Sequence, residues 1–372
     1  MRFPEFTKEW EEHALAEYLD FKNGLNPDVK RIGRGLPFIS VMDILADGTI
    51  NYDSIRGKVE ATEREIENFS VEKGDILFQR SSETLEDVGR ANVYMDNRTA
   101  VYGGFVIRGR KIGDYNPLFF KYLLSTPLAR KRTCRMGAGA QHFNIGQDGL
   151  SKISLCFPLM EEQNKIARLL SLIDERIATQ NKIIEKLQSL IKGLRNEIFW
   201  KLRKNVGFNA MIGDVLDYEQ PQSYIVEDTE YIDKGTPVLT ANKAFILGYT
   251  SETEGIYDKG DCIIFDDFTL DSKYVDFPFK VKSSAIKILS AENKELLRYT
   301  FEFLKYLDLS TSEHKRHYIA ETQNQEFILP TTQIVRTIAH TFSILSLRME
   351  TAIKQRLLFE KQKQYLLRQM FI

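Results

Sequence analysis

Three cysteines in 372 residues, Cys134, Cys156 and Cys262, give no material for a disulfide framework or a thiolate zinc cluster, and their odd number and wide spacing fit a reducing cytoplasm. Long apolar runs are also missing. No stretch approaches the ~18 uninterrupted apolar residues of a transmembrane helix, so no membrane partner is expected. The opening MRFPEFTKEWEEH lacks the basic and apolar regions of a signal peptide. Neither charge sign dominates: 51 Lys and Arg stand against 52 Asp and Glu, a net of −1 that favours no class of partner. What remains is an ordinary globular composition, 43% hydrophobic, in a chain long enough for two or three domains.

Divided along its length, the charge is uneven. Residues 1–157 carry 22 basic and 22 acidic side chains, whereas residues 205–327 carry 12 basic and 22 acidic, a net of −10. The stretches 158–204 and 328–372 are basic, at +4 and +5. An acidic stretch of that size counts against nucleic-acid binding by bulk electrostatics. Any such contact needs a local basic face.

The sequence repeats itself at a constant offset of 172: Pro158 matches Pro330, Ile166-Ala167 matches Ile338-Ala339, Leu194 matches Leu366, and Phe199 matches Phe371. Within the first copy, Ile166, Leu170, Ile173, Ile177, Ile184, Leu187, Ile191, Leu194 and Ile198 step by fours and threes, a heptad seam with Gln180 as its polar interruption. The second copy runs Ile338, Phe342, Leu345, Met349, Ala352, Phe359, Leu366 and Met370, interrupted by Arg356 and Lys363. Each prolines-first segment predicts a helix of about 65–70 Å at 1.5 Å per residue. One such helix leaves its seam in water. Two in one chain, joined by a module that carries the chain back, are expected to pair as an antiparallel coiled coil with pseudo-two-fold symmetry and the modules at its opposite ends.

The modules read as mixed α and β, so the fold class is α+β. Residues 66–80 and 98–112 are strand-like in the first, before a short helix opened by Asn116-Pro117. Residues 237–250, 260–269 and 277–289 are strand-like in the second, before a helix over 292–307. Gly74-Asp75 and Gly260-Asp261 open equivalent strands. The expected domains are a first module over 1–157, a spacer helix over 158–204, a second module over 205–327 and a second spacer helix over 328–372.

With this organisation the chain resembles the DNA specificity subunit of type I restriction-modification enzymes, over its whole length. The residues that carry the resemblance are FPEFTKEW (3–10), GDILFQRSS (74–82) and FPLMEEQNKIARLLSLID (157–174), with IGDVLDYEQP (212–221), TPVLTANKAFILGYT (236–250) and the 263–289 segment in the second half. The second helix departs from the pattern: PTTQIVRTIA (330–339) lacks the pair seen at Glu162-Gln163. The resemblance implies a cytoplasmic, non-catalytic reader without a cofactor. Its two target-recognition domains would bind the halves of a split, asymmetric double-stranded DNA target. Its helices would set the spacing and dock two methyltransferase subunits, with restriction subunits as further partners.

Candidate DNA contacts follow from side-chain chemistry, since Arg and Lys neutralise phosphates while Gln and Asn read adenine edges. In the first module they are Arg80, Ser81, Ser82, Arg130, Lys131, Arg132, Arg135, Gln141, His142 and Asn144. In the second they are Lys243, Lys273, Lys282, Ser283, Ser284, His314, Lys315, Arg316 and His317, with Lys280 nearby. The plain alternative for both sets is a solvated surface. Asn116-Pro117-Leu118-Phe119 approaches the N-P-P-F/Y motif of amino-methyltransferases, but it reads more simply as a helix N-cap followed by proline. Asp266, Asp267 and Asp271 suggest a Mg²⁺ nuclease only weakly, and strand-end carboxylates are commoner. Two other readings stay open: a self-contained DNA-modifying enzyme, and a coiled-coil adaptor with protein-binding modules. No metal site is expected.

Overall fold

The structure, a computed structural model, describes every residue except Ala140, 241–244, 310–316 and Ile372. The chain folds as two compact units, one built from Met1–Asn181 with Gln355–Ile372, the other from Lys182–Lys354. Both are mixed α and β.

In the first unit four antiparallel strands run in the spatial order Leu19–Asn23, Val106–Lys111, Ile76–Gln79, Ala91–Val93. In the second, Asp217–Glu219, Ile286–Ser290, Cys262–Asp266 and Ser272–Val275 take the same order. A second sheet in each unit contains one parallel pair, Phe38 beside Val101 in the first and Val238 beside Lys280 in the second. A two-stranded ribbon then closes each module, Glu11–Ala14 on Ser154–Phe157 and Ala210–Met211 on Glu326–Phe327. One topology is used twice.

The central strands show why. Side chains alternate across a strand, and here both faces are covered, so the sequence is apolar without interruption. Ile76 and Phe78 enter one core while Leu77 enters another. Ile263 and Phe265 separate from Cys262 and Ile264 in the same way. Gly74 and Gly260, the residues before the shared aspartates, turn the chain at φ +98° and +100°, a left-handed conformation that favours glycine.

The expected helix after Asn116 is broken in two, Pro117–Ser125 and Pro127–Cys134. Pro127 has no N–H to continue the first helix, and the Thr126 hydroxyl caps the second by accepting from the Ala129 N–H at 3.3 Å. The corresponding helix of the second unit, Lys294–Leu307, is unbroken and capped by Asn293, which accepts from the Leu296 N–H at 2.9 Å.

The two long helices, Met160–Asn205 and Thr332–Gln369, begin 172 residues apart, in step with the sequence repeat. Each unit holds the start of one and the close of the other. In the first, Ile166, Leu170 and Ile173 share a core with Leu366 and Met370, flanked by Ile177 and Phe359, and Lys363 reaches Asp174 at 2.6 Å. In the second, Ile191, Phe199 and Leu202 share a core with Val335, Ile338 and Phe342, with Leu194, Leu345 and Met349 packed against it. Leu187 is partly buried outside both cores. Burying one such side chain stabilises by about 1.5–3 kcal/mol, which is where these helices gain their order.

Candidate nucleic-acid interface

At one end of the first unit's four-stranded sheet the chain leaves Gln79 and forms a small ribbon. Ser81 and Ser82 pair with Asn144 and Phe143. Ala138 and Asn144 exchange both backbone hydrogen bonds at 2.9 Å, closing a hairpin whose turn needs Gly139. A Cβ on Gly139 would lie 1.9 Å from the His142 carbonyl oxygen, and its φ is +144°. Arg80 is threaded into this framework: its N–H donates to the Phe105 oxygen and its oxygen accepts from the Ile145 N–H, each at 2.9 Å. Its guanidinium donates to the Gly104 oxygen at 3.3 Å. Arg80, Asn144, Asn23, Gln147 and Asp148 line an open cavity of about 400 Å³.

The geometry therefore brings Arg80, Ser81, Ser82 and Asn144 together, with Gln141 and His142 exposed on the hairpin beside them. It separates the basic helix into two faces. Ala129 and Thr133 form the buried stripe of Pro127–Cys134, so Arg130 and Arg132 flank the interior while Lys131 and Arg135 point to water. Arg130 donates to the Glu86 and Val88 oxygens at 2.8 and 2.6 Å, and burial pushes its pKa below the ordinary value. Arg132 is held by Glu12 at 2.6 Å and by the Ser154 oxygen. These two arginines fasten loops, a correction to their reading as free phosphate contacts.

In the second unit Lys282 and Ser283 are exposed and Ser284 partly so, just past the Lys280–Val281 strand. Lys273 pairs with Asp271 at 3.1 Å. Lys280 is 3% exposed and bound to Glu252 at 2.7 Å, which removes it from the surface. His317 needs the same correction. It is 1% exposed, its N–H donates to an Asp267 carboxylate oxygen at 3.0 Å, and its Nδ1 lies 2.8 Å from Glu321. Lys243, His314, Lys315 and Arg316 lie outside the described residues.

The acidic trio is occupied with local structure. Asp266 accepts from the Phe268 and Thr269 N–H groups at 2.9 and 3.3 Å, while Asp267 accepts from the His317 and Tyr318 N–H groups. Asp271 pairs with Lys273 and Lys305, which lowers its pKa against the opposing effect of burial. Among the described residues no cluster of His, Cys, Asp and Glu has a metal-holding arrangement. Asn116 is an N-cap, its side-chain oxygen accepting from the Leu118 and Phe119 N–H groups at 3.0 Å each.

Sequence reading missed two features. Glu162 and Gln163 are internal: Glu162, 1% exposed, takes two bonds from Arg2, and Gln163 bridges the Asn116 N–H and the Pro158 oxygen at 3.0 Å each. The pair thus ties the N-terminal segment and the Pro117 helix to the start of the first long helix. At the same offset the second copy has Ile334 and Val335, which cannot make those bonds. The other is Phe105, 69% exposed in the turn that Arg80 braces, an aromatic face signalled in the sequence only by the glycine pair before it.

Residues 7–189 match the family model described as the type I restriction modification DNA specificity domain. A stretch of 126 residues, 32% of the chain, is 46% identical to the EcoR124I/EcoR124II specificity subunit of Escherichia coli, covering 31% of that protein. The putative MjaX specificity subunit of Methanocaldococcus jannaschii is 27% identical over 203 residues, 53% of this chain and 47% of its own length. The chain thus spans half or less of the curated relatives it matches. The S subunit of a type I restriction-modification system from M. genitalium shares the fold at a TM-score of 0.70 and 15% identity, over 100% of this chain and 97% of that one. A second solved chain, from a study of complex assembly in the type I R-M system, aligns at a TM-score of 0.50 and 13% identity, over 98% and 97% of the two chains.

Proposed function

We propose, from the match of residues 7–189 to the type I restriction modification DNA specificity domain, that the chain is the non-catalytic DNA reader of a type I restriction-modification enzyme. Its modules each take one half of a split double-stranded target, and because their sequences differ, the target is asymmetric. The observation that carries this reading is the repeat of one strand order, each copy leading into a long helix. A reader built as two unlike copies of one module needs a spacer of fixed length, because helix length becomes half-site separation.

In the first module, Arg80, Ser81, Ser82, Gln141, His142 and Asn144 face the DNA, with Lys131 and Arg135 on the phosphates. In the second, Lys273, Lys282, Ser283 and Ser284 do so, joined by Lys243 and by His314, Lys315 and Arg316. The carbonyl-bound Arg130 and Arg132 and the buried His317 support the assignments of their neighbours by holding loops.

Methyltransferase subunits are the proposed protein partners, two per chain, with restriction subunits joining them. Exposed apolar side chains on the long helices support a docking role: Leu172, Leu357 and Leu358 in the first unit, Leu190, Ile344 and Leu347 in the second. Co-expression with the cognate methyltransferase, followed by light scattering, tests the whole reading. A particle of one reader and two methyltransferases is expected, and separate elution of the two proteins would overturn it.

A further inference from the structure

Within the first unit, a cleft of about 540 Å³ opens between the Asp47-Gly48 turn, the Glu86–Asn92 segment and the two short helices. Five cationic side chains converge on it from four stretches of sequence: Arg90, Lys121, Arg130, Lys131 and Lys363. Lys363 is committed to Asp174 at 2.6 Å and Arg90 to Asp87 at 2.7 Å. The other three have no carboxylate at ion-pair distance among the described residues. Lys121 donates to the Gly48 oxygen, and Arg130 donates only to the Glu86 and Val88 oxygens and to the Cys134 sulfur. The acidic residues of the lining, Asp47 and Glu86, are exposed and therefore screened by water, whereas Lys121 and Arg130 are partly buried.

The inner cations show the strain of this arrangement. Burial brings the Lys121 pKa down to about 8, against the opposing pull of Asp174 and Asp47 and with the help of the facing Lys363. Burial lowers that of Arg130, with Arg90 adding to the effect and Cys134 and Asp87 opposing it. Protein interiors avoid cations whose burial is not fully compensated, and the lining holds two of them. A bound anion relieves both. The volume is that of a small-ligand site, and the point charges of Lys121 and Lys131 suit phosphate oxygens, while Arg130 holds the Glu86–Val88 wall beside them.

We propose that this cleft is a binding site for a phosphate-bearing anion, supplied either by the backbone of a nucleic acid or by a free polyphosphate such as that of a nucleotide. The site stands on its own residues and does not require that the hairpin at 137–144 read bases.

Calorimetric titration of the full chain with inorganic pyrophosphate, at constant ionic strength set by chloride, tests it. Saturable binding is expected, weakened about tenfold by Lys121→Met and about threefold by Lys131→Ser, as loss of a charge-assisted contact gives. Lys201→Ser, which removes an exposed lysine paired with Glu197 on the first long helix, leaves it unchanged. Bound pyrophosphate also raises the Lys121 pKa, so amine labelling of Lys121 near pH 8 slows. That readout uses the unaltered protein and decides the matter should Lys121→Met fail to fold. Displacement of pyrophosphate by a short DNA duplex identifies the backbone as the source, and indifference to duplex identifies a free polyphosphate. Absence of saturation, or labelling that pyrophosphate does not slow, overturns the proposal. A protein that binds pyrophosphate but forms no methyltransferase complex refutes the proposed function and leaves this site standing.

Discussion

Glu302 is a buried carboxylate on which two arginines of the second unit converge. It is 1% exposed and accepts from Arg195 of the first long helix at 2.9 and 2.7 Å and from Arg298 at 2.8 Å. Arg298 also donates to the Phe342 oxygen and to Ser346 on the second long helix, so one carboxylate organises three helices. Glu302→Ala leaves the buried Arg298 and the partly buried Arg195 without their anion, and urea unfolding should show a loss of about 3 kcal/mol. Lys121 supplies the pH dependence. Its folded pKa of about 8 lies below its ordinary 10.5, so between those values the unfolded chain holds more protons and stability rises with pH. The penalty is complete below pH 8 and gone above 10.5. Denaturation of wild type and Lys121→Met across that window should show a rising curve for the first and a flatter one for the second. None of these contacts was legible in the sequence. Arg195, Arg298 and Glu302 look like ordinary helix-surface charges, and only the packing of three helices makes them interior. Arg130 and Arg132 failed as free contacts for the same reason, since helix phase alone does not say which side is covered.

At the level of elements, legibility followed the strength of the local pattern. The long helices, their starts and most of their apolar seams were readable because each carries many turns of 3.6-residue periodicity. The Gly-Asp strands were readable because glycine at positive φ and a doubly buried apolar run both leave marks in sequence. The division at Pro127 is marked too, by Thr126-Pro127, which adds a second cap after Asn116 where the second unit's helix has the one cap, Asn293. Asn293→Ala should cost about 1 kcal/mol in chemical denaturation, and Asn293→Asp should restore most of it. What no pattern reveals is the Gln163 bridge, because its partners, the Asn116 N–H and the Pro158 oxygen, are backbone groups without a residue signature.

For the whole molecule, the duplication turns a question of recognition into one of modularity. If each module reads its own half-site, exchanging residues 1–155 for the equivalent region of another family member should alter one half of the methylated motif. Methylome sequencing that finds both halves changed would contradict it. The overall plan was legible because repeats at a fixed offset are a property of sequence, whereas which loops meet DNA depends on how short ribbons such as Ser81–Ser82 on Phe143–Asn144 come together. The two units also differ in how the chain supplies them. The second is one continuous stretch, Lys182–Lys354, but the first waits for Gln355–Ile372, whose Leu366 and Met370 complete its core. Synthesis runs from the first residue to the last, so the unit begun second has all of its residues first. Until the final turns of helix emerge, the earlier unit is an open core held in reserve, and its exposure time is set by translation rather than by its own folding rate.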